Sequence, residues 1–339
     1  MSKSAGFRLF RCHDDSSVTC LLCSHYCRLQ EGERGRCGVR RNDGGRIVSL
    51  VYGKLVAESI DPIEKKPLFH LLPGSLSYSI ATRGCNFHCA HCQNSHISQV
   101  EREEHFSSTI VKNPEEVVAA AVSSGCASIS YTYVEPTVFF EFAYDCSVLA
   151  VEQGIKTIFV SNGFMSQQVL EVLVPVLSAA NIDLKSFNDS FYRKQCGGRL
   201  QPVLETIRFL KEKGVWVEVT TLVIPGYNDS DRELNEIAAF IASVDASIPW
   251  HVTGFYPAWK MNNVAPTPVS SLVRAREAGS ENGLHFVYTG NRPGSGEESS
   301  FCSDCGKEII TRCGFRVERN SLVSGCCPAC GRKVPGVWE

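Results

Sequence analysis

Eight residues, Cys85-Asn86-Phe87-His88-Cys89-Ala90-His91-Cys92, carry three cysteines at x3 and x2 spacing. Thiols this close in sequence are placed to share one metal centre. Three thiolates hold three irons of a cubane cluster and leave the fourth iron open, because an iron–sulfur cluster normally takes four protein thiolates. An open metal position takes a small molecule and does chemistry, whereas a closed one braces a fold. Zinc is the competing reading, with His88, His91 or His96 as its fourth ligand. The triplet follows a strand-like run, Leu76–Thr82. In a parallel barrel the loops after the strands build the active site, which favours the cluster.

That run is the first of seven β-rich stretches. The others are Ala127–Tyr133, Lys156–Ser161, Asn181–Lys185, Val215–Val223, Trp250–Phe255 and Leu284–Tyr288. Helical segments lie between them, and several carry start signals. Asn113-Pro114-Glu115-Glu116 puts a cap before a first-turn proline and two acids. Ser230-Asp231-Arg232-Glu233 reads as a capping box, and Thr267-Pro268 as a cap followed by proline. Strands alternating with helices predict an α/β fold, a partial (β/α) barrel over residues 76–290. Residues 1–75 read as a loop-rich, metal-pinned module whose Pro67–Gly74 stretch is a connection. Residues 291–300 form a polar linker, and 301–339 a small Cys-rich module.

Seventeen cysteines sit in 339 residues of ordinary apolar content, 43%. The start, Met1-Ser2-Lys3-Ser4-Ala5-Gly6, lacks the apolar core of an export signal, so the expected location is cytoplasmic and the thiols are expected reduced. No apolar run reaches the ~20 residues of a membrane span. A net charge of −2 offers no basic field, which disfavours nucleic acid and anionic lipid as partners.

Two cysteine quartets flank the middle. Cys302-x2-Cys305 and Cys327-x2-Cys330, each followed by glycine, make paired knuckles of a zinc ribbon. Four thiolates close a tetrahedral shell, so that Zn2+ would be structural. Cys326 competes with Cys327, because Cys326-x3-Cys330 is also a ligand spacing. Cys20-x2-Cys23-x3-Cys27-x9-Cys37 takes zinc as a first reading and a second [4Fe–4S] cluster as its rival, with Cys12 and His25 as substitutes. Of Cys12, Cys126, Cys146, Cys196 and Cys313, outside the clusters, most read as small buried residues.

At the triplet the chain resembles the radical S-adenosylmethionine (SAM) superfamily, whose signature is Cys-x3-Cys-x-aromatic-Cys, with His91 in the ring position. The resemblance implies a [4Fe–4S] cluster on Cys85, Cys89 and Cys92, SAM on the open iron, and a 5′-deoxyadenosyl radical after one-electron reduction. In that superfamily a Gly-Gly-Glu stretch ends the second strand and meets the methionine amino group. Here Tyr133-Val134-Glu135 stands there, keeping the acid and losing the glycines. Ser161-Asn162-Gly163 and Asp183-Leu184-Lys185 match the glycyl-radical-enzyme activases, the branch of pyruvate formate-lyase activating enzyme. The match implies SAM contacts at Ser161, Asn162, Asp183 and Lys185. Val160 replaces an acid that holds a cation in those activases, so that cation is not expected. His251, on the sixth run, is a further candidate for the adenosyl group or substrate.

The similarity extends further. Asp61-Pro62-Ile63-Glu64-Lys65-Lys66-Pro67-Leu68-Phe69-His70, Thr82-x-Gly84-Cys85-Asn86-Phe87 and the terminal Pro335-Gly336-Val337-Trp338 resemble the AmmeMemoRadiSam-system radical SAM enzymes. That implies Memo-type and AMMECR-type partners, with a flavodoxin- or ferredoxin-like electron donor. Three roles are compatible: a glycyl-radical activase, a radical enzyme acting on a small molecule, peptide or RNA, and a non-catalytic metal-binding assembly factor.

Overall fold

The alternation of strands and helices builds one curved sheet. The computed structural model describes residues 7–101, 106, 110–291 and 297–339. Met1–Gly6 and half of the expected linker, residues 292–296, lie outside the described residues. The eight strands of this sheet are β1 (Ala57–Pro62), β2 (Leu76–Ala81), β3 (Ser128–Tyr131), β4 (Lys156–Ser161), β5 (Ala179–Asp183), β6 (Trp216–Val223), β7 (Trp250–Gly254) and β8 (Val287–Gly290). They pair in chain order from β1 to β8. From β2 onward every neighbour is parallel.

A parallel neighbour requires a crossover, and one main helix supplies each. These are α1 (Pro114–Ser123), α2 (Phe140–Glu152), α3 (Gln167–Leu173), α4 (Gln201–Glu212), α5 (Asp231–Val244) and α6 (Val269–Glu281). The result is the expected partial barrel, open between β8 and β1 among the described residues. Its inner strands are buried on both sides; every residue of β3 is buried.

Two of the three start signals act differently from their sequence reading. Asn113 and Glu116 do form a reciprocal capping box on α1. Ser230 caps α5, but the Glu233 carboxylate turns outward to accept from Ser186 Oγ and from Phe187 N–H at 3.0 Å. Pro268, not Thr267, holds the cap position of α6. Thr267 Oγ1 instead accepts from Phe255 N–H (2.7 Å) and donates to the Val223 carbonyl (2.5 Å). The seventh run also shifts: β8 starts at Val287, because Leu284 N–H closes the turn after α6 on Gly279.

β1 escaped the sequence reading. It is an antiparallel edge strand with mixed exposure, Ala57 facing Ala81 and Pro62 facing Leu76. The Pro67–Gly74 stretch is more than a connection. Leu68, Phe69, His70 and Leu71 are buried, and Asn181 Nδ2 donates to Pro67 O at 2.7 Å. The Phe69 and His70 amides donate to the Glu218 carboxylate at 3.0 and 2.8 Å. This segment plugs the barrel from the side where the strands begin.

The N-terminal region packs at the other end. Its short strands Phe10–Cys12, Val18–Cys20 and Arg28–Leu29 form an antiparallel sheet, and Arg40–Asp43 pairs with Arg46–Ser49. Ser24 Oγ donates to Met165 O (2.6 Å), just beyond β4. The C-terminal region pairs Ser300–Phe301, Glu308–Cys313 and Arg316–Asn320, and docks on the plug. There Val337 N–H meets His70 O at 2.7 Å, and Arg312 donates to Phe69 O at 2.6 Å. Among the described residues, no helix is long and apolar enough to cross a membrane.

Candidate active site

Gly84 sets up the cysteine loop. Its φ of +95° is a conformation that L side chains rarely adopt. A Cβ there would come within 2.9 Å of Cys37 O and 2.6 Å of Val39. Only glycine lets the loop leave β2 so close to the N-terminal region. Asn94 Nδ2 then fastens the loop to Tyr133 O at 2.8 Å, and Phe87 buries its ring beneath it.

Cys85, Cys89 and Cys92 all line one cavity of about 330 Å³. Its walls include Glu135, Asn162, Asp183, Lys185 and Val160, with Thr220, Leu222 and Thr253 from β6 and β7. Lys65, Lys66 and Pro67 close it below. That volume lies at the lower end of small-molecule sites. Burial pushes the Cys85 thiol well up, and the charges of Glu135 and Cys89 add to the shift. Such thiols stay neutral until a metal displaces the proton.

Asp183 and Lys185 project from alternate positions onto one face and meet at 2.7 Å. Burial alone would drag the Lys185 pKa down. Asp183 and the Cys89 and Cys196 sulfurs lift it well above the ordinary ammonium value. The pair therefore presents fixed charges of both signs to the cavity.

Glu135 is buried, and its carboxylate is already occupied. Thr137 N–H and Oγ1 donate to Oε1 at 3.1 and 2.5 Å, Ser161 Oγ to both oxygens, and Asn162 N–H to Oε2 at 2.8 Å. Four donors fill the four lone-pair positions of a carboxylate. Glu135 thus ties the ends of β3 and β4 together, and Ser161 serves that tie rather than lining the cavity. Asn162 does line it and donates to Asn86 Oδ1 at 2.7 Å.

Tyr133 replaces a glycine of the expected stretch and still takes a left-handed backbone, φ +64°. Its side chain offsets that strain. The hydroxyl donates to Asp61 Oδ2 at 2.5 Å, and Lys66 Nζ stands 4.7 Å from the ring centre. Asp61 also holds Lys66 at 2.6 Å. This Asp61–Lys66–Tyr133 group was missed in the sequence because no spacing joins its members.

His251 faces the barrel interior but lies too deep to reach the cavity. Thr253, two residues on, lines it. His251 Nε2 bonds Glu218 at 2.6 Å, its ring stacks on Tyr288 at 5.3 Å, and Phe69 of the plug meets it edge-on at 4.7 Å. Strand parity was readable; depth was not.

Cys196 was also missed. It is buried as expected, but Cys89, His91 and Cys196 each place a ligand atom within 4.8 Å of the others. The Cys196 contact, followed by burial, pushes the Cys89 thiol well up. His88 and His96 are exposed. His91 lines the cavity, and its buried Nδ1 has no partner. Three thiols, an unpartnered ring nitrogen and a zwitterion-matching ion pair around one space suit a cluster with an amino-acid ligand. Of the unclustered cysteines, Cys126 and Cys146 are buried, whereas Cys12 and Cys313 are exposed.

In the C-terminal region Cys302, Cys305, Cys327 and Cys330 bring their sulfurs within 4.8 Å of one another, a group able to hold a metal as a zinc ribbon does. Cys326 turns its sulfur to Ser324 O. Cys20, Cys23, Cys27 and Cys37 surround a separate small cavity with His25, while Cys12 is not part of its wall.

Comparison with known proteins gives the same direction. Residues 79–238 match the family model of the radical SAM superfamily. An uncharacterized protein of Methanocaldococcus jannaschii is 43% identical over 324 residues, 95% of this chain and 96% of that one. Pyruvate formate-lyase 1-activating enzyme of Escherichia coli K12 is 22% identical over 57% of this chain and 84% of its own. The structure of Streptococcus suis SuiB bound to S-adenosylmethionine superposes with a TM-score of 0.50 at 15% identity, over 67% of this chain and 52% of SuiB. That likeness concerns the fold.

Proposed function

The chain belongs to the radical SAM superfamily, and from that premise we propose that it cleaves SAM reductively and directs the radical to a protein or peptide, as activases do. One observation carries the reading: three thiols open onto the same cavity as the Asp183–Lys185 pair. A [4Fe–4S] cluster bound with SAM supplies one-electron scission of the S–C5′ bond, yielding methionine and a 5′-deoxyadenosyl radical. Cys85, Cys89 and Cys92 would hold that cluster. Lys185, kept protonated, would meet the SAM carboxylate, and Asp183 its ammonium group. Glu135 positions the strand ends around them. Asn162 orients Asn86 beside Cys85.

Similarity to an activating enzyme supports the activase-like role. Tyr133 and Val160 mark where this pocket departs from the activases. We read residues 1–75, 76–290 and 301–339 as three modules. The electron donor is of the flavodoxin or ferredoxin class. The Asp61–His70 run and the C-terminal ribbon support Memo-type and AMMECR-type proteins as partners.

Anaerobic reconstitution with iron and sulfide, then SAM and a strong reductant, tests the reading. The expected product is 5′-deoxyadenosine, lost in Cys85→Ala and formed with raised KM for SAM in Lys185→Met. A reconstituted chain that yields no 5′-deoxyadenosine with any reductant overturns it.

A further inference from the structure

The two quartets differ in how their sulfurs are spread. In the C-terminal group Cys302 and Cys330 lie 3.6 Å apart, and Cys305 and Cys327 3.7 Å. A tetrahedron of sulfurs at the Zn–S length of about 2.3 Å has edges of about 3.8 Å, so that group is set for a single ion. Among the described residues, no three sulfurs of Cys20, Cys23, Cys27 and Cys37 gather within 4.8 Å. Yet all four line one common space. The triplet Cys85, Cys89 and Cys92 shows the same open spacing around its own cavity.

We propose that Cys20, Cys23, Cys27 and Cys37 hold a second [4Fe–4S] cluster and not a zinc ion. A cubane puts each cysteinyl sulfur on its own iron, at a separate corner, and so needs ligands held apart around a filled centre. The four cysteines surround such a centre, and Leu22 and Val138 wall it with apolar surface. The space also offers a cation. Arg40 lines the space, is buried, and leaves its Nε without a partner, while its terminal nitrogens engage Glu141. A buried guanidinium with an unpartnered N–H, close enough to Cys20 and Cys37 to feel their charge, suits an anionic cluster.

The place matters too. Cys37 O packs against Gly84, one residue before Cys85. His25, between Cys23 and Cys27, bonds Asn86 O at 2.8 Å, one residue after it. Thr137 and Val138 wall the quartet's space, and Glu135 walls the central cavity. Resting on the function read above, this cluster relays one electron. A low-potential one-electron donor reduces it on the side where Cys23, Cys27 and Cys37 are partly exposed. The same electron then passes to the central centre, with no bond or proton transferred.

The test uses the full chain carrying Cys85→Ala, Cys89→Ala and Cys92→Ala, purified anaerobically and checked for native circular dichroism. The expected result is about four irons and four sulfides per chain, a [4Fe–4S] EPR signal on reduction, and one zinc. Iron at background with two zincs overturns the proposal. Should that variant not fold, Cys23→Ser with Cys27→Ser in the parent chain gives the same answer. Loss of about four irons with zinc unchanged supports the cluster; loss of one zinc with iron unchanged overturns it. Both readouts are metal counts, so a failure of SAM cleavage leaves them intact and the two failures stay distinguishable.

Discussion

The two cysteine quartets sit at opposite ends of the barrel and are fastened to it by the same device, yet they stand differently towards the site. Each region sends one buried arginine inward. Arg40 grips Glu141 on α2 near the cysteine loop, and Arg312 reaches Glu64 (3.6 Å), Phe69 O and Ser300 Oγ beside the plug. The N-terminal quartet touches the loop that carries Cys85. The C-terminal region meets the barrel at the plug and at β8, where the Tyr288 and Ser300 hydroxyls lie 2.6 Å apart, on the side away from the cavity. One quartet is therefore built against the chemistry, and the other holds the floor shut.

The largest expected difference lies in metal dependence of folding. A module of about 40 residues cannot build a sufficient core, so a metal on its four sulfurs would carry its stability. Structural zinc contributes about 10–16 kcal/mol in small modules at neutral pH. Cys305→Ala is expected to release zinc and open residues 301–339 to limited proteolysis, while SAM cleavage persists. A zinc-free variant as protease-resistant as the parent would break the comparison.

Next comes the arginine on the active-site side. Glu141→Gln strips Arg40 of its charge partner inside the protein, and breaking a buried pair costs about 3–5 kcal/mol. Denaturant unfolding should show a loss on that scale, together with weaker metal retention by the N-terminal quartet. An unchanged midpoint would show that Arg40 finds its counter-charge elsewhere.

How much of this contrast was legible depended on whether partners were close in sequence. Cysteine knuckles are local, so all three cysteine groups were visible, as were the alternating strands and helices with their periods. What joins distant segments was not. β1 has no alternation to announce it, because an edge strand is only partly buried. The plug looked like a Pro/Gly connection because its buried residues, Leu68 to Leu71, meet strands far along the chain. Cys196 stood alone in sequence and lies beside Cys89 in space. Tyr133 keeps a glycine-like backbone only because Asp61 and Lys66 support its side chain.

Acid should loosen the far end. His70 is enclosed by the plug, with Nδ1 on Pro335 O (2.7 Å) and Nε2 on the Tyr288 hydroxyl (2.6 Å). Glu218, Arg312 and His251 are the charged or titratable neighbours besides Tyr288. Burial pulls its pKa from 6.5 down to about 4. A depressed histidine pKa means that the unfolded chain binds the proton first. Its contribution is complete above pH 6.5 and is lost as pH falls through 6.5 towards 4. The loss is about 3 kcal/mol at the lower limit. Thermal melts of the zinc-loaded chain at pH 7 and pH 5 should show it, and His70→Gln should flatten the difference. A slope unchanged by that substitution would place the acid sensitivity elsewhere.

The smallest effect is the sharpest test of which sulfurs the far quartet uses. Cys326 and Cys327 are adjacent, and both spacings fit a ribbon. Cys327 is buried with its sulfur 3.7 Å from Cys305, whereas the Cys326 sulfur faces Ser324 O at 3.7 Å. The tight turn around Cys326 is held by backbone, Cys326 N–H to Val323 O and Val323 N–H to Cys326 O. Alanine preserves both bonds. Cys326→Ala should therefore keep its zinc and change stability by no more than about 0.5 kcal/mol, the range of an ordinary surface substitution. Cys327→Ala should behave like Cys305→Ala. If instead Cys326→Ala loses zinc, the tetrahedron is built from the other spacing, and the ribbon's sulfurs lose their claim to a preset single-ion geometry.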